Sequence, residues 1–119
     1  MKWEEKQARK AKDKAKVSHL IAICMRRRAN PEKIMPEWEE QAAVACAVQN
    51  MHLMATALGV AAYWSSPATI HEAEVKEHLG LGEEDKCLGM FHVGSASRTV
   101  QGAYRAKRGA MSEKVEWRV

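Results

Sequence analysis

The first sixteen residues are almost uniformly polar, and the apolar pattern begins at Val17. Residues 3–16 read as a highly charged helix, rich in Lys, Ala, Gln and Glu and free of Gly and Pro, with thin apolar content beyond Trp3. Val17–Met25 (VSHLIAICM) is a short β-branched apolar run bounded by charge and reads as a strand. Residues 26–36 form a loop punctuated by Asn30-Pro31 and Met35-Pro36. The strongest element spans residues 37–58. Pro36 leads into it, Glu37, Glu39 and Glu40 occupy its first turns where the helix dipole favours acids, and Gly59 ends it. Val44, Val48, Met51, Ala55 and Leu58 recur at helical spacing, yet the segment is apolar over most of its circumference. Such a helix needs protein on more than one side. A central helix that also packs on a second subunit is expected.

Residues 60–65 (VAAYWS) read as a short strand and Ser66-Pro67 as a turn. A helix is expected over 69–79, ended by Gly80, and a second apolar strand over 86–95 (KCLGMFHVGS). From Ala96 onward periodicity fades, although the alternating 114–119 (KVEWRV) would suit a sheet edge, including a partner's. The pattern therefore gives an α+β fold, a small and mainly antiparallel sheet flanked by helices around a long central helix. At 119 residues there is room for one domain.

Charge refines the picture. Residues 1–16 carry seven Lys/Arg against three acids, Arg26, Arg27 and Arg28 follow, and residues 29–97 hold three basic against ten acidic groups. The tail turns basic again through Arg98, Arg105, Lys107, Arg108, Lys114 and Arg118. A basic rim around an acidic middle favours anionic partners without naming one. No run approaches the roughly 18 apolar residues of a membrane span, and the basic N-terminus has no apolar stretch of the kind a secretory signal needs. An intracellular, cytoplasmic location is expected. Cys24, Cys46 and Cys87 have neither zinc-site nor disulfide-framework spacing.

Candidate chemistry is sparse. His71, Glu74 and His78 share a face of the expected 69–79 helix, but the histidines lie two turns, about 10 Å, apart, too far to share one ion unaided. No serine sits in a G-x-S-x-G turn, and no phosphate loop or G-x-G-x-x-G is present. Cys46 inside the apolar helix reads as a small core residue, as do Met51 and Met54. Gln49, His52 and Thr56 form a narrow polar stripe expected to be satisfied by neighbouring backbone.

Residues 42–64 (AAVACAVQNMHLMATALGVAAYW) resemble the nitroreductase family of flavoproteins, whose long apolar helix runs into a short strand carrying an aromatic. The 17–25 strand, the basic loop with Pro and acids, the EVKEHLGL stretch at 74–81, the CLGMFHVG strand at 87–94 and the basic KRGAMSEKVEW tail follow that family's order. The resemblance implies an FMN-dependent oxidoreductase that takes hydride from NAD(P)H and passes electrons to nitroaromatics, quinones or similar small acceptors. It also implies a homodimer, here through helix 37–58, with flavin at the subunit interface. Trp64, Ser65 and Ser66 match the strand-end segment lying along the flavin ring, and Met54–Gly59 matches a stretch near the nicotinamide site. Arg108, with Lys107 or Arg105 beside it, matches the basic position that pairs with the FMN phosphate. No side chain is assigned as a catalytic acid, base or nucleophile, because the flavin carries the chemistry.

The family's Arg-rich, Ser-containing opening, which grips the phosphate and ribityl chain, has no match. Residues 1–119 are therefore expected to be a partial nitroreductase-like domain with a charged helix over 1–16, holding FMN poorly and turning over slowly or not at all. The competing class is a non-enzymatic basic module that uses residues 1–28 on nucleic acid or an acidic protein. Nucleic acid is not expected as a partner, since no stacking platform or helix-turn-helix pattern accompanies the basic helix.

Overall fold

The computed structural model describes residues 3–5, 7–8, 16–28, 30, 32–95 and 107–118. Residues 3–5 and 7–8 are helical, in keeping with the charged N-terminal segment. Strand β1 covers Val17–Met25, helix α1 Glu37–Ala57, strand β2 Ala61–Ser65, helix α2 Ala73–His78 and strand β3 Lys86–Gly94. Short 3-10 turns lie at Ala68–His71 and Met111–Glu113.

The three strands form one antiparallel sheet in the order β1-β3-β2. Strand β3, whose residues alternate buried and half-buried along most of its length, takes the middle place, where both of its backbone edges are paired. Along β3 the register sets Phe91 against Ile21 of β1 and Trp64 of β2, so these three side chains share a face. Helix α1 covers that face, with Ile23, Val48 and Phe91 as the buried cluster and Val44, Met51, Ala62, Leu88 and Val93 packed around it. The His52 ring meets Phe91 edge-on at 5.4 Å and its Nε2 donates to the Ala62 carbonyl at 2.7 Å, tying α1 to β2. Thr56 Oγ1 donates to the His52 carbonyl at 3.0 Å, so two members of the polar stripe on α1 find backbone partners as expected, while Gln49 is exposed.

Both helices end in the same device. Gly59 and Gly80 adopt positive φ, and each N–H returns to the carbonyl three residues back, Thr56 and Glu77 respectively, at 3.0 Å. The next residue closes the wider bond, Val60 to Ala55 and Leu81 to Lys76, at 2.9 Å. This Schellman pairing satisfies carbonyls that a helix end would otherwise leave open.

Three expectations need correction. The 69–79 helix is two pieces, because Glu72 is extended (φ −68°, ψ 145°) between the 3-10 turn and α2, which breaks the shared face of His71, Glu74 and His78. Cys46 is exposed, and Met54 is 60% exposed, so neither is a core residue. Residues 115–118 join no strand within their own chain, and Trp117 is 85% exposed.

Candidate functional site

The end of β2 presents Trp64, Ser65 and Ser66 in three different ways. Strand alternation sends Trp64 to the α1 side of the sheet, where its indole lies across Gly89 of β3 and stays 38% exposed. Gly89 has φ +138°, a conformation that side chains rarely adopt. A Cβ there would stand 2.5 Å from Trp64 Nε1 and closer still to the Ser65 carbonyl oxygen. Glycine at this position is therefore what lets the indole come this close to the strand. Ser65 points to the opposite face, where its hydroxyl is 2.9 Å from His92 Nε2 and 3.5 Å from the Met90 carbonyl. The His92 ring is stacked on Tyr63 at 4.3 Å with the planes 7° apart. Ser66 follows the strand and is exposed.

The basic candidates do not join this group. Lys107 and Arg108 are exposed on an irregular stretch before the 3-10 turn at Met111–Glu113, and among the described residues no hydrogen bond or ion pair links them to Trp64, Ser65 or Ser66. Arg105 lies outside the described residues.

An open groove of about 430 Å³ runs between α1 and the sheet near the start of β2, walled by Ile21, Met51, Met54, Leu58, Val60 and Phe91. Asn50 adds a polar group to an otherwise apolar wall. A smaller hollow of about 200 Å³ on the other face is lined by Tyr63, His92 and Gly94 together with Lys16 and Ser95. Sequence reasoning passed over Gly89, His92 and Tyr63. A glycine inside an apolar strand was the available signal for a close approach at Gly89, whereas the pairing of Tyr63 with His92 exists only once the β2–β3 register is known.

Charges at the start of α1 are spent on anchoring. Glu40 receives Arg27 Nη1 at 2.5 Å and the Arg28 amide at 3.1 Å, and Glu37 pairs with Lys86 of β3. Asp85 accepts the Gly82 amide at 2.8 Å and the Arg27 amide at 2.9 Å. The Lys86 contact holds the Glu37 carboxyl below its ordinary pKa, and the two backbone amides do the same for Asp85. Within the Arg26–Arg28 run, Arg27 is thus neutralised in place, while Arg26 and Arg28 are exposed. Among the described residues no cluster of His, Cys, Asp or Glu is arranged to hold a metal ion, and no helix is long and apolar enough to cross a membrane.

Comparison with known proteins gives three concordant likenesses. The sequence profile of the nitroreductase family matches residues 2–95. "Putative NAD(P)H nitroreductase YdjA" of Escherichia coli K12 is 34% identical over 61 residues, and the protein of the same name from Escherichia coli O157:H7 matches equally. The matched stretch is 51% of this chain and 33% of those relatives, so the chain corresponds to about a third of their length. A nitroreductase-like family protein from Bacillus cereus superposes with a TM-score of 0.69 at 22% identity, over 96% of this chain and 60% of that one. The profile match ends at residue 95, ahead of Lys107 and Arg108.

Proposed function

The chain belongs to the nitroreductase family, a family of flavoprotein oxidoreductases, and from that premise we propose that it forms the flavin-binding, interface-forming part of an FMN-dependent oxidoreductase. Electrons would pass from NAD(P)H to a nitroaromatic, quinone or similar small acceptor. The observation that carries this reading is the end of β2: a half-exposed indole supported from below by a glycine that admits no side chain. A flat, apolar surface next to exposed polar groups suits the flavin ring, whose edges need hydrogen bonds and whose faces need contact.

The ring side of FMN therefore fits the residues present. Trp64 supplies apolar contact, and the Ser66 hydroxyl with the backbone around it supplies polar partners. Ser65 would contribute through its backbone alone, because its hydroxyl is held by His92 on the other face. For the phosphate, Arg108 with Lys107 and Arg105 offers cationic donors, the guanidinium fork matching phosphate oxygens. Bound FMN would supply the hydride and electron transfer, which no amino-acid side chain provides. The work left to this chain is to hold the ring, neutralise the phosphate and exclude water from the apolar groove beside α1.

That groove also supports a homodimer. Leu53, Met54 and Leu58 on α1 are each more than half exposed, next to Ile21 of β1. A second copy covering them would put the groove at the subunit interface.

The test is to express residues 1–119, add excess FMN and follow the visible flavin spectrum together with NADPH-dependent quinone reduction. With FMN in excess, weak saturable flavin association read as quenching of Trp emission is the expected result, together with slow or absent turnover. Absence of any flavin association, with salt-sensitive retention on nucleic acid instead, would replace this reading by the basic-module one.

A further inference from the structure

Two of the three cysteines meet across the sheet. Cys24 of β1 and Cys87 of β3 are register partners, immediately past the irregularity in β1 between Ile23 and Cys24. Both thiols are free. Residues directly opposed in an antiparallel pair have Cα atoms about 4.5–5.5 Å apart, which falls inside the roughly 4.4–6.8 Å window of disulfides. Beyond burial, the neighbouring Cys87 raises the pKa of the Cys24 thiol, as two thiols brought together by that register would do. Cys87 also donates to the Gly89 carbonyl at 3.7 Å. The pair is graded in access: Cys87 is 2% exposed, and Cys24 is half-buried. Cys46 stands apart, exposed on α1.

We propose that Cys24 and Cys87 are a disulfide-forming pair, oxidised by small-molecule disulfides of the glutathione type. The Cys24 thiolate, the more accessible of the two, attacks one sulfur of the small disulfide, forming a mixed disulfide and expelling one small thiolate. The Cys87 thiolate then attacks Cys24 Sγ and expels the second. One disulfide is reduced to two thiols while two protein thiols become one disulfide, and the two protons lost by the cysteines go to the departing thiolates. Burial, and then the neighbouring Cys87, hold the Cys24 thiol above its ordinary pKa, so this exchange is slow and the pair behaves as a latch and not as a rapid sensor.

The position gives the latch its consequence. Cys24 lies two residues before Arg26 and Cys87 directly follows Lys86, so the bond would close the sheet beside the contacts of Arg27 with Glu40 and Asp85 and of Lys86 with Glu37. Those contacts fix the first turn of α1 to the ends of β1 and β3. Oxidation would lock that corner. The inference does not depend on the flavin reading.

The experiment incubates the reduced 1–119 chain with excess oxidised glutathione. Free thiols are then counted after denaturation, the intact mass is measured and linked peptides are mapped without reduction. The expected result is a fall from three free thiols to one, a mass lower by two hydrogens, a Cys24–Cys87 peptide and a raised unfolding midpoint, all reversed by a reductant. Cys46→Ser should leave the link intact. Three persisting thiols, a stable glutathione adduct on Cys24 without closure, or a link involving Cys46 would each overturn the proposal.

Discussion

At the scale of single residues, the candidate site depends on one missing side chain. Gly89→Ala places a methyl group where Trp64 Nε1 and the Ser65 carbonyl already stand, at a φ of +138°. Strain of this kind costs about 1–3 kcal/mol, and urea denaturation should show a loss in that range. The same variant should bind FMN more weakly, because the indole must lift off the strand. Arg108 tests the other end of the ligand. If it pairs with the phosphate, Arg108→Ala weakens FMN binding by about 1.5–3 kcal/mol, roughly ten- to hundredfold in Kd by titration. Unchanged affinity would move the role to Lys107 or Arg105. Trp64 and Ser66 enter as candidates through the resemblance alone. That Ser65 turns its hydroxyl to His92 is not legible in the sequence, because side-chain direction on β2 follows from the strand's register and register is not written in its composition.

At the scale of elements, the long apolar runs were legible almost to their ends. Strand β1 matches the expected bounds, and α1 and β3 match within one residue, since Pro36, Gly59 and the charged flanks mark them. The weaker 69–79 segment failed because its helical composition says nothing of the extended backbone at Glu72. The acids opening α1 suit the helix dipole, and Glu37 and Glu40 also receive Lys86 and Arg27. Those cations lie far away in sequence, and only the fold brings them near. A pH dependence follows. The folded-state pKa values of Glu37 and Asp85 are depressed, so their contribution is complete above the unfolded carboxylate pKa, near 4. It is lost as pH falls from there through the lower folded values. Thermal midpoints should therefore drop below about pH 4 in the wild type, and more shallowly in Glu37→Gln and Asp85→Asn. An identical slope in all three would remove these carboxylates from the anchoring role. Within the core, Val48 is 3% exposed between Ile23 and Phe91, so Val48→Ala should cost about 1–3 kcal/mol in urea denaturation.

For the whole molecule, burial is the decisive quantity. The Cα radius of gyration is 18.4 Å, against roughly 13–14 Å for a compact domain of this length. Only one side of α1 is used: Val48 and Ala55 are buried, while Leu53, Met54 and Leu58 are 59%, 60% and 70% exposed. Large apolar side chains left this exposed are what a second copy would cover in the proposed dimer. The all-round apolar character of α1 predicts a second packing surface, although the sequence does not say that Met54 and Leu58 line a groove with Ile21 and Phe91. The expected outcome is a concentration-dependent dimer in sedimentation velocity. Met54→Glu adds a charge at the groove, where an interface would have to bury it, and should weaken association by about 2 kcal/mol or more, roughly thirtyfold in Kd. Its effect on the monomer should stay within about 0.5 kcal/mol, since the side chain is already exposed and substitutions at exposed sites seldom cost more. A wild-type chain that remains a well-folded monomer at micromolar concentration would show that the groove is not the subunit interface. With it would go the placement of the flavin between two copies, leaving the end of β2 to hold the ring within a single chain.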